Sequence, residues 1–499
     1  MLCIAACGRG PGASGGVQPL ATALPATPSP APPWSAAERD ALRATLSSIL
    51  AGDILEHSTG IVVLAGDGST LFARRAAVPV TPASTLKLLV AASALNSLGP
   101  AHRFETRFVA NEPPQDGTLG GALWLVGGGD PTLTSEDLRR GVGALARAGI
   151  ARVEGALQID DSAFSGPEQN PRWDRDDLSY DYAAGTSAMS LDEDTVQFEV
   201  TPDPGGGAAR VRVVPDNESI AFSGSIATGG GTYLTIERKP ELPTFSSGDR
   251  ASAAGSDAAA EPHNEYVLAG HIAYGETQKF FKPVLGMPGY VGGAVAAMLA
   301  KRNIALAGGY RAGASPLAAT TLWAHRSLTL AAIVREMLVE SNNHTAETLL
   351  RVLGEQSGHP GTDGAGVAFE KRELSRLGVP REKMTLYDGS GLAPSDRIMP
   401  LTLAALIAAE VRGPYGDVFV RSLARVGMEG TVKGHHVRAA LGRARAKSGH
   451  IEGVNGLAGT VQTKHHGRIA FAFIVNDPRA NADIVYAEED RALDALANS

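Results

Sequence analysis

Strand patterns at both ends of the chain limit the fold before anything else does. Near the start, GIVVLAGDGSTLFARR reads as two strands around a Gly66-Asp67-Gly68 turn. Near the finish, RARAKSGH, VNGLAGTVQT and GRIAFAFIVND read as three more, the last with alternating apolar residues around Phe471 and Phe473. Helical patterns accompany them. ERDALRATLSSIL follows Ala37, and TPASTLKLLVAASALNSLG has Pro82 near its start and Gly99 as its stop. TLAAIVREMLVESNNHTAETLLRVLG is an amphipathic pair or one interrupted helix. Two early and three late strands fit one antiparallel sheet assembled from both chain ends and flanked by helices, an α+β architecture. The middle of the chain is then an insertion.

The texture along the 499 residues agrees with that division. Residues 37–99 and 286–499 form the sheet-and-helix part. Residues 100–285 are an inserted β-rich region, with short strand patterns such as GALWLVGG, VEGALQID, TVQFEVTP and ARVRVVP between Gly, Pro and Asp. SSGDRASAAGSDAAAEP within it reads as an exposed flexible loop. GVGALARAG and the GGG stretches read as turns, because no strand–GxGxxG–helix unit with an acidic partner appears. Residues 1–36 hold the remnant of an export signal and a Pro/Ala tether, QPLATALPATPSPAPPWSA. Ile4-Ala5-Ala6-Cys7 fits a bacterial lipobox, which makes Cys7 a lipid-anchor candidate; an Ala-rich leader is the alternative. An exported protein of the periplasm or cell envelope is expected.

Composition removes several chemistries. Both cysteines, Cys3 and Cys7, precede the folded body, so it contains no thiol nucleophile, disulfide or cysteine zinc site. A net charge of -8 and the lack of any basic, aromatic-interleaved stretch argue against nucleic acid as a partner. The pairs His435-His436 and His465-His466 lack the spacing of a metal motif and read as surface residues, so no metal or cofactor is expected.

Three short motifs remain. Only 10 of the 45 basic residues are lysine, yet TPASTLKLL places Lys87 three residues after Ser84, on one helical face. Unlike arginine, a desolvated lysine can give up its proton and take that of a serine. Alone, the pair also fits a solvated lysine on an amphipathic helix. Ser341-Asn342-Asn343 falls between two helical patterns, as a proton relay and carbonyl holder or as a helix cap. Lys447-Ser448-Gly449 opens a late strand, with room and charge for a substrate carboxylate, or as an edge that blocks aggregation.

Together, in this order, the three match the signature of serine penicillin-recognising enzymes. The chain is more closely similar to the D-alanyl-D-alanine carboxypeptidase/endopeptidase family, the class C low-molecular-mass penicillin-binding proteins. PASTLKLL, VGGGDPTL (126–133), IDDSAF (159–164), YDGSGLAPSD (387–396) and AKSGHIEGVNGLAGTV (446–461) carry the resemblance, which runs from about residue 40 to 480. It implies a serine β-lactamase/transpeptidase-like domain, with Ser84 as acylating nucleophile, Lys87 as its base and Ser341 as proton shuttle. It implies substrate contacts from Asn343, Lys447, Ser448 and Gly449, an oxyanion hole at the backbone N–H groups of Ser84 and His450, and Asp177 as a further binding residue. Peptidoglycan peptides would be substrates and β-lactams covalent inhibitors. The alternatives are a β-lactamase or esterase of the same fold, or a non-hydrolytic penicillin-sensing, peptidoglycan-binding protein. The sequence departs from the family at Ser448, where threonine is commoner, and at His450, where a small hydroxyl residue is usual. Ala393-Pro394 replaces a common Ser-Arg, leaving Arg397 as the nearest candidate for that arginine's role.

Overall fold

The structure is a computed structural model describing residues 32–52, 57–239, 264–479 and 482–499. The Cys7 site, most of the tether and the low-complexity loop lie outside them. Six strands make the main sheet, in the order Ala424–Arg425, Ala444–Ile451, Val454–Gln462, Arg468–Asn476, Thr59–Leu64, Thr70–Arg74. The two chain ends meet where Val62 pairs with Ala472 in antiparallel register. Each expected strand is present, and the short Ala424–Arg425 strand adds an edge.

Alternation of large and small residues sorts the sheet's two faces. Phe471 and Phe473 point to a layer containing the helices Ala36–Ile49 and Ala482–Asn498. Ala470, Ala472 and Ile474 point the other way, where their small size admits helices Lys87–Leu98 and Pro400–Arg412 close to the sheet. The first helix begins with a Ser35–Glu38 capping box. TLAAIVREMLVESNNHTAETLLRVLG is a pair, Leu330–Glu340 and Asn343–Glu355, broken at Ser341.

The second lobe runs further than its sequence texture suggests. Strands Ala305–Leu306, Tyr310–Ala312 and Thr320–Arg326 pair with Arg152–Val153, Leu157–Asp160 and Glu105–Ala110. Helix Met287–Lys301 packs in the same core, so the chain returns to the catalytic lobe after Arg326, later than residue 286. Gly141 to Arg147 of GVGALARAG are also helical, in Ser135–Arg147, and only its last two residues form a turn. Gly141 is needed there because a Cβ would come within 3.0 Å of Phe108 and Trp323.

Two histidines read as surface residues are buried. His435 Nδ1 lies 2.7 Å from Asp490 Oδ1, and His466 stacks on Trp34 with ring centroids 4.1 Å apart. Their partners lie far away in sequence, so local pattern could not show them. Among the described residues no group of three or more metal-ligating side chains forms, and no helix is long and apolar enough to cross a membrane.

Candidate active site

Ser84 lies in a short 3-10 turn, Ala83–Leu86, which leads directly into helix Lys87–Leu98. Ala83 has a left-handed φ of 47°. The turn therefore presents Ser84 at a sharp corner, one turn ahead of Lys87. Lys87 is fully buried, and its Nζ lies 2.8 Å from Ser84 Oγ, 2.6 Å from Asn343 Oδ1 and 2.9 Å from the Ser390 carbonyl. All three partners are uncharged. Burial lowers the Lys87 pKa to about 7, against the raising pull of Asp388 and Glu347. A free amine is then available at neutral pH, in contact with the serine whose proton it would take.

The other motifs converge from two sides. Ser341 is the left-handed C-terminal cap of helix Leu330–Glu340, at φ 65°. This bend, with the Asn342 side chain accepting from Thr345 N, starts the next helix at Asn343 and delivers that side chain to Lys87. Gly449 brings the Ala444–Ile451 strand against the nucleophile's turn: a Cβ there would sit 3.0 Å from the backbone nitrogens of Ser84 and Thr85. Lys447 is fully buried, with its Nζ 2.6 Å from the Ser448 carbonyl. Burial and the nearby Lys87 hold its pKa well below the ordinary lysine range, and no acid offsets them. Ser448 Oγ donates to Thr431 Oγ1 at 2.7 Å. The His450 ring turns away to Asn455 Oδ1, at 2.9 Å, leaving its backbone on the strand.

Asp177 does not join this cluster directly. It accepts a hydrogen bond from Tyr182 OH at 2.7 Å, and the Tyr182 carbonyl accepts from Asn343 Nδ2 at 2.8 Å. Tyr182 stacks on Tyr180, both partly exposed, beside the site. The segment carrying them is fastened to the catalytic lobe. Arg351 pairs with Asp363 at 2.6 Å and donates to the carbonyls of Thr186 and Pro167. Trp173 Nε1 donates to Asp388 Oδ2 at 2.9 Å. Arg397 is occupied holding Thr81 Oγ1 and the carbonyls of Pro394 and Asp396.

Sequence reasoning passed over Tyr182, Trp173, Thr431, Asp388 and Glu347. Glu347 had a readable signal, being four residues after Asn343 on the same helical face. Asp388 lay inside a quoted motif without a role. Trp173 had none, because Asp388 lies 215 residues away, and the link from Tyr182 to Asn343 crosses the lobe boundary although Asp177 is five residues back.

A buried lysine touching a serine, with an amide side chain and a second buried lysine beside it, is an arrangement in which a serine hydroxyl can act as a nucleophile with an amine as its base. A sequence model of the D-Ala-D-Ala carboxypeptidase 3 (S13) family matches residues 42–498, and the chain belongs to that family. It is 30% identical over 465 residues to the D-alanyl-D-alanine carboxypeptidase of Actinomadura sp. (strain R39), covering 89% of this chain and 82% of that one. It is 24% identical to the D-alanyl-D-alanine carboxypeptidase DacB of Haemophilus influenzae over 79% of this chain and 80% of that one. The crystal structure of penicillin binding protein 4 (dacB) from Haemophilus influenzae superposes with a TM-score of 0.74 at 21% identity, covering 91% of this chain and 99% of that chain. The expected fold and family are therefore established, and with them a serine-type D-Ala-D-Ala carboxypeptidase activity.

Proposed function

We propose that the protein cleaves D-alanine bonds of peptidoglycan stem peptides through an acyl-Ser84 intermediate, and that β-lactams acylate the same serine. The observation that carries this reading is the fully buried Lys87, 2.8 Å from Ser84 Oγ and, among the described residues, without a direct carboxylate partner. Lys87 takes the Ser84 proton as Oγ attacks the penultimate D-alanine carbonyl. The Ser84 and His450 N–H groups receive the developing oxyanion. Ser341 passes a proton to the departing amine as the C–N bond breaks, and water then hydrolyses the ester. Lys447 and Ser448 receive the substrate's terminal carboxylate, which supplies the negative charge that the buried Lys447 otherwise lacks. Asn343 holds the substrate's peptide group, and Asp177, acting with Tyr182, borders the side-chain end of the peptide. The Pro/Ala-rich tether and lipobox-like start support a place in the cell envelope, with Cys7 as the anchor candidate.

The purified protein should release D-alanine from a pentapeptide ending in D-Ala-D-Ala. A cross-linked muropeptide dimer offered in parallel separates carboxypeptidase from endopeptidase preference. Release from neither substrate by a protein that still acylates with penicillin would favour the penicillin-sensing alternative. Rapid penicillin turnover would favour the β-lactamase.

A further inference from the structure

Lys87 is held by Ser84, Asn343 and the Ser390 carbonyl, with no carboxylate touching it among the described residues. The Ser390 carbonyl that accepts from Lys87 belongs to a peptide unit whose N–H is that of Gly391. This N–H donates to Asp388 Oδ1 at 2.8 Å. One peptide group is thus aligned with its oxygen end toward the ammonium and its hydrogen end toward a carboxylate. Hydrogen bonds polarise one another in such a chain, most strongly in a dry interior. Only glycine allows this placement: Gly391 has φ +77°, and a Cβ would stand 2.0 Å from the Ala83 carbonyl, on the nucleophile's own turn.

Asp388 has the surroundings of a carboxylate. It is fully buried, and Oδ2 accepts from Trp173 Nε1 at 2.9 Å, Ala393 N at 2.7 Å and Ser390 Oγ at 3.4 Å. Its acidic neighbours differ. Asp396 accepts from Tyr387 N through Oδ1, but Oδ2 has no donor, and burial with the adjoining Asp388 pushes its pKa up to about 11. Asp396 therefore keeps its proton and shares it with Asp388. On helix Asn343–Glu355, Glu347 accepts from the N–H groups of Gly389 and Ser390, and burial and Asp388 push it up to about 8. Behind it, on helix Asp363–Arg376, burial holds Glu370 well above the usual carboxylate range. Lys447 faces the group from the strand.

We propose that Asp388 is a positioning residue for the general base, holding Lys87 and balancing its charge through the Ser390–Gly391 peptide. This rests on Lys87 being the base of the reaction. Trp173 makes the inserted lobe a contributor, since it supplies one of the donors to Asp388.

The test is the pH dependence of the second-order acylation rate with a fluorescent penicillin, for the parent, Asp388→Asn, Asp388→Glu and Asp396→Asn. Removing the charge in Asp388→Asn lowers the proton affinity of Lys87, so the acid limb should move about one unit toward lower pH, and the plateau should fall about tenfold or more. Asp388→Glu keeps the charge and should keep the limb near its original pH while the plateau falls. Asp396→Asn exchanges a neutral carboxyl for a neutral amide and should leave the limb in place. An Asp388→Asn limb that coincides with the parent's would overturn the proposal, because a merely structural residue lowers the rate without moving the limb. A shift in Asp396→Asn comparable to charge removal would also overturn it, and this variant decides even if Asp388→Asn does not fold. No acylation of the parent would sink the reading of Ser84 and Lys87 instead.

Discussion

In the catalytic lobe, the strands of the main sheet are covered on both faces, and the pair Val62–Ala472 is fully buried. In the inserted lobe, strand Tyr233–Arg238 lies on Asn264–Ile272 with one face open, and Tyr233 is 77% exposed. The difference follows from what each must do. A lysine amine near neutrality needs a dry, rigid surrounding, and the catalytic lobe supplies it by packing Lys87 under the sheet. The inserted lobe meets the surroundings of the site through Trp173, Tyr182, the carbonyls held by Arg351, Asn170 on the Tyr387 carbonyl and Ser190 on His344. One lobe makes the chemistry and the other borders it.

The largest effect is expected at Lys87. Lys87→Met should reduce penicillin acylation by about a thousandfold or more, since a positioned base contributes about 10²–10⁴. In the parent, the same rate should fall about tenfold per pH unit below its acid limb near pH 7, because protonation removes the base. Next comes stability. Phe471→Ala in the sheet should cost about 3–5 kcal/mol in denaturant unfolding, whereas Tyr233→Ala on the open face should stay within about 0.5 kcal/mol. Equal costs would remove the contrast between the lobes. Smallest is Tyr182→Phe, which removes the hydroxyl bond to Asp177 but leaves the carbonyl that holds Asn343. It should raise KM for peptide substrates severalfold, about 1 kcal/mol, and barely change penicillin acylation.

Much of the catalytic lobe was legible because its signals are local. The Phe471–Phe473 spacing, the Gly66-Asp67-Gly68 turn and the one-turn separation of Ser84 and Lys87 each lie within a short window. The C-terminal helix was missed although Val485, Glu489, Ala492, Leu493 and Leu496 share a buried face. The limit of the inserted lobe was misplaced because helix Met287–Lys301 resembles the helices that follow it, and only its packing shows where it belongs. The back of the active site was the least readable part. Trp173 and Asp388 meet across more than two hundred residues of chain, and no local pattern records that contact.

In the proposed mechanism Ser84, with Lys87 as its base, forms the acyl-enzyme. Intact mass after mixing with benzylpenicillin, for the parent and for Ser84→Ala, tests it most directly. A stable gain of one penicilloyl group is expected on the parent and none on the variant. An equal adduct on Ser84→Ala, or none on either protein, would contradict it.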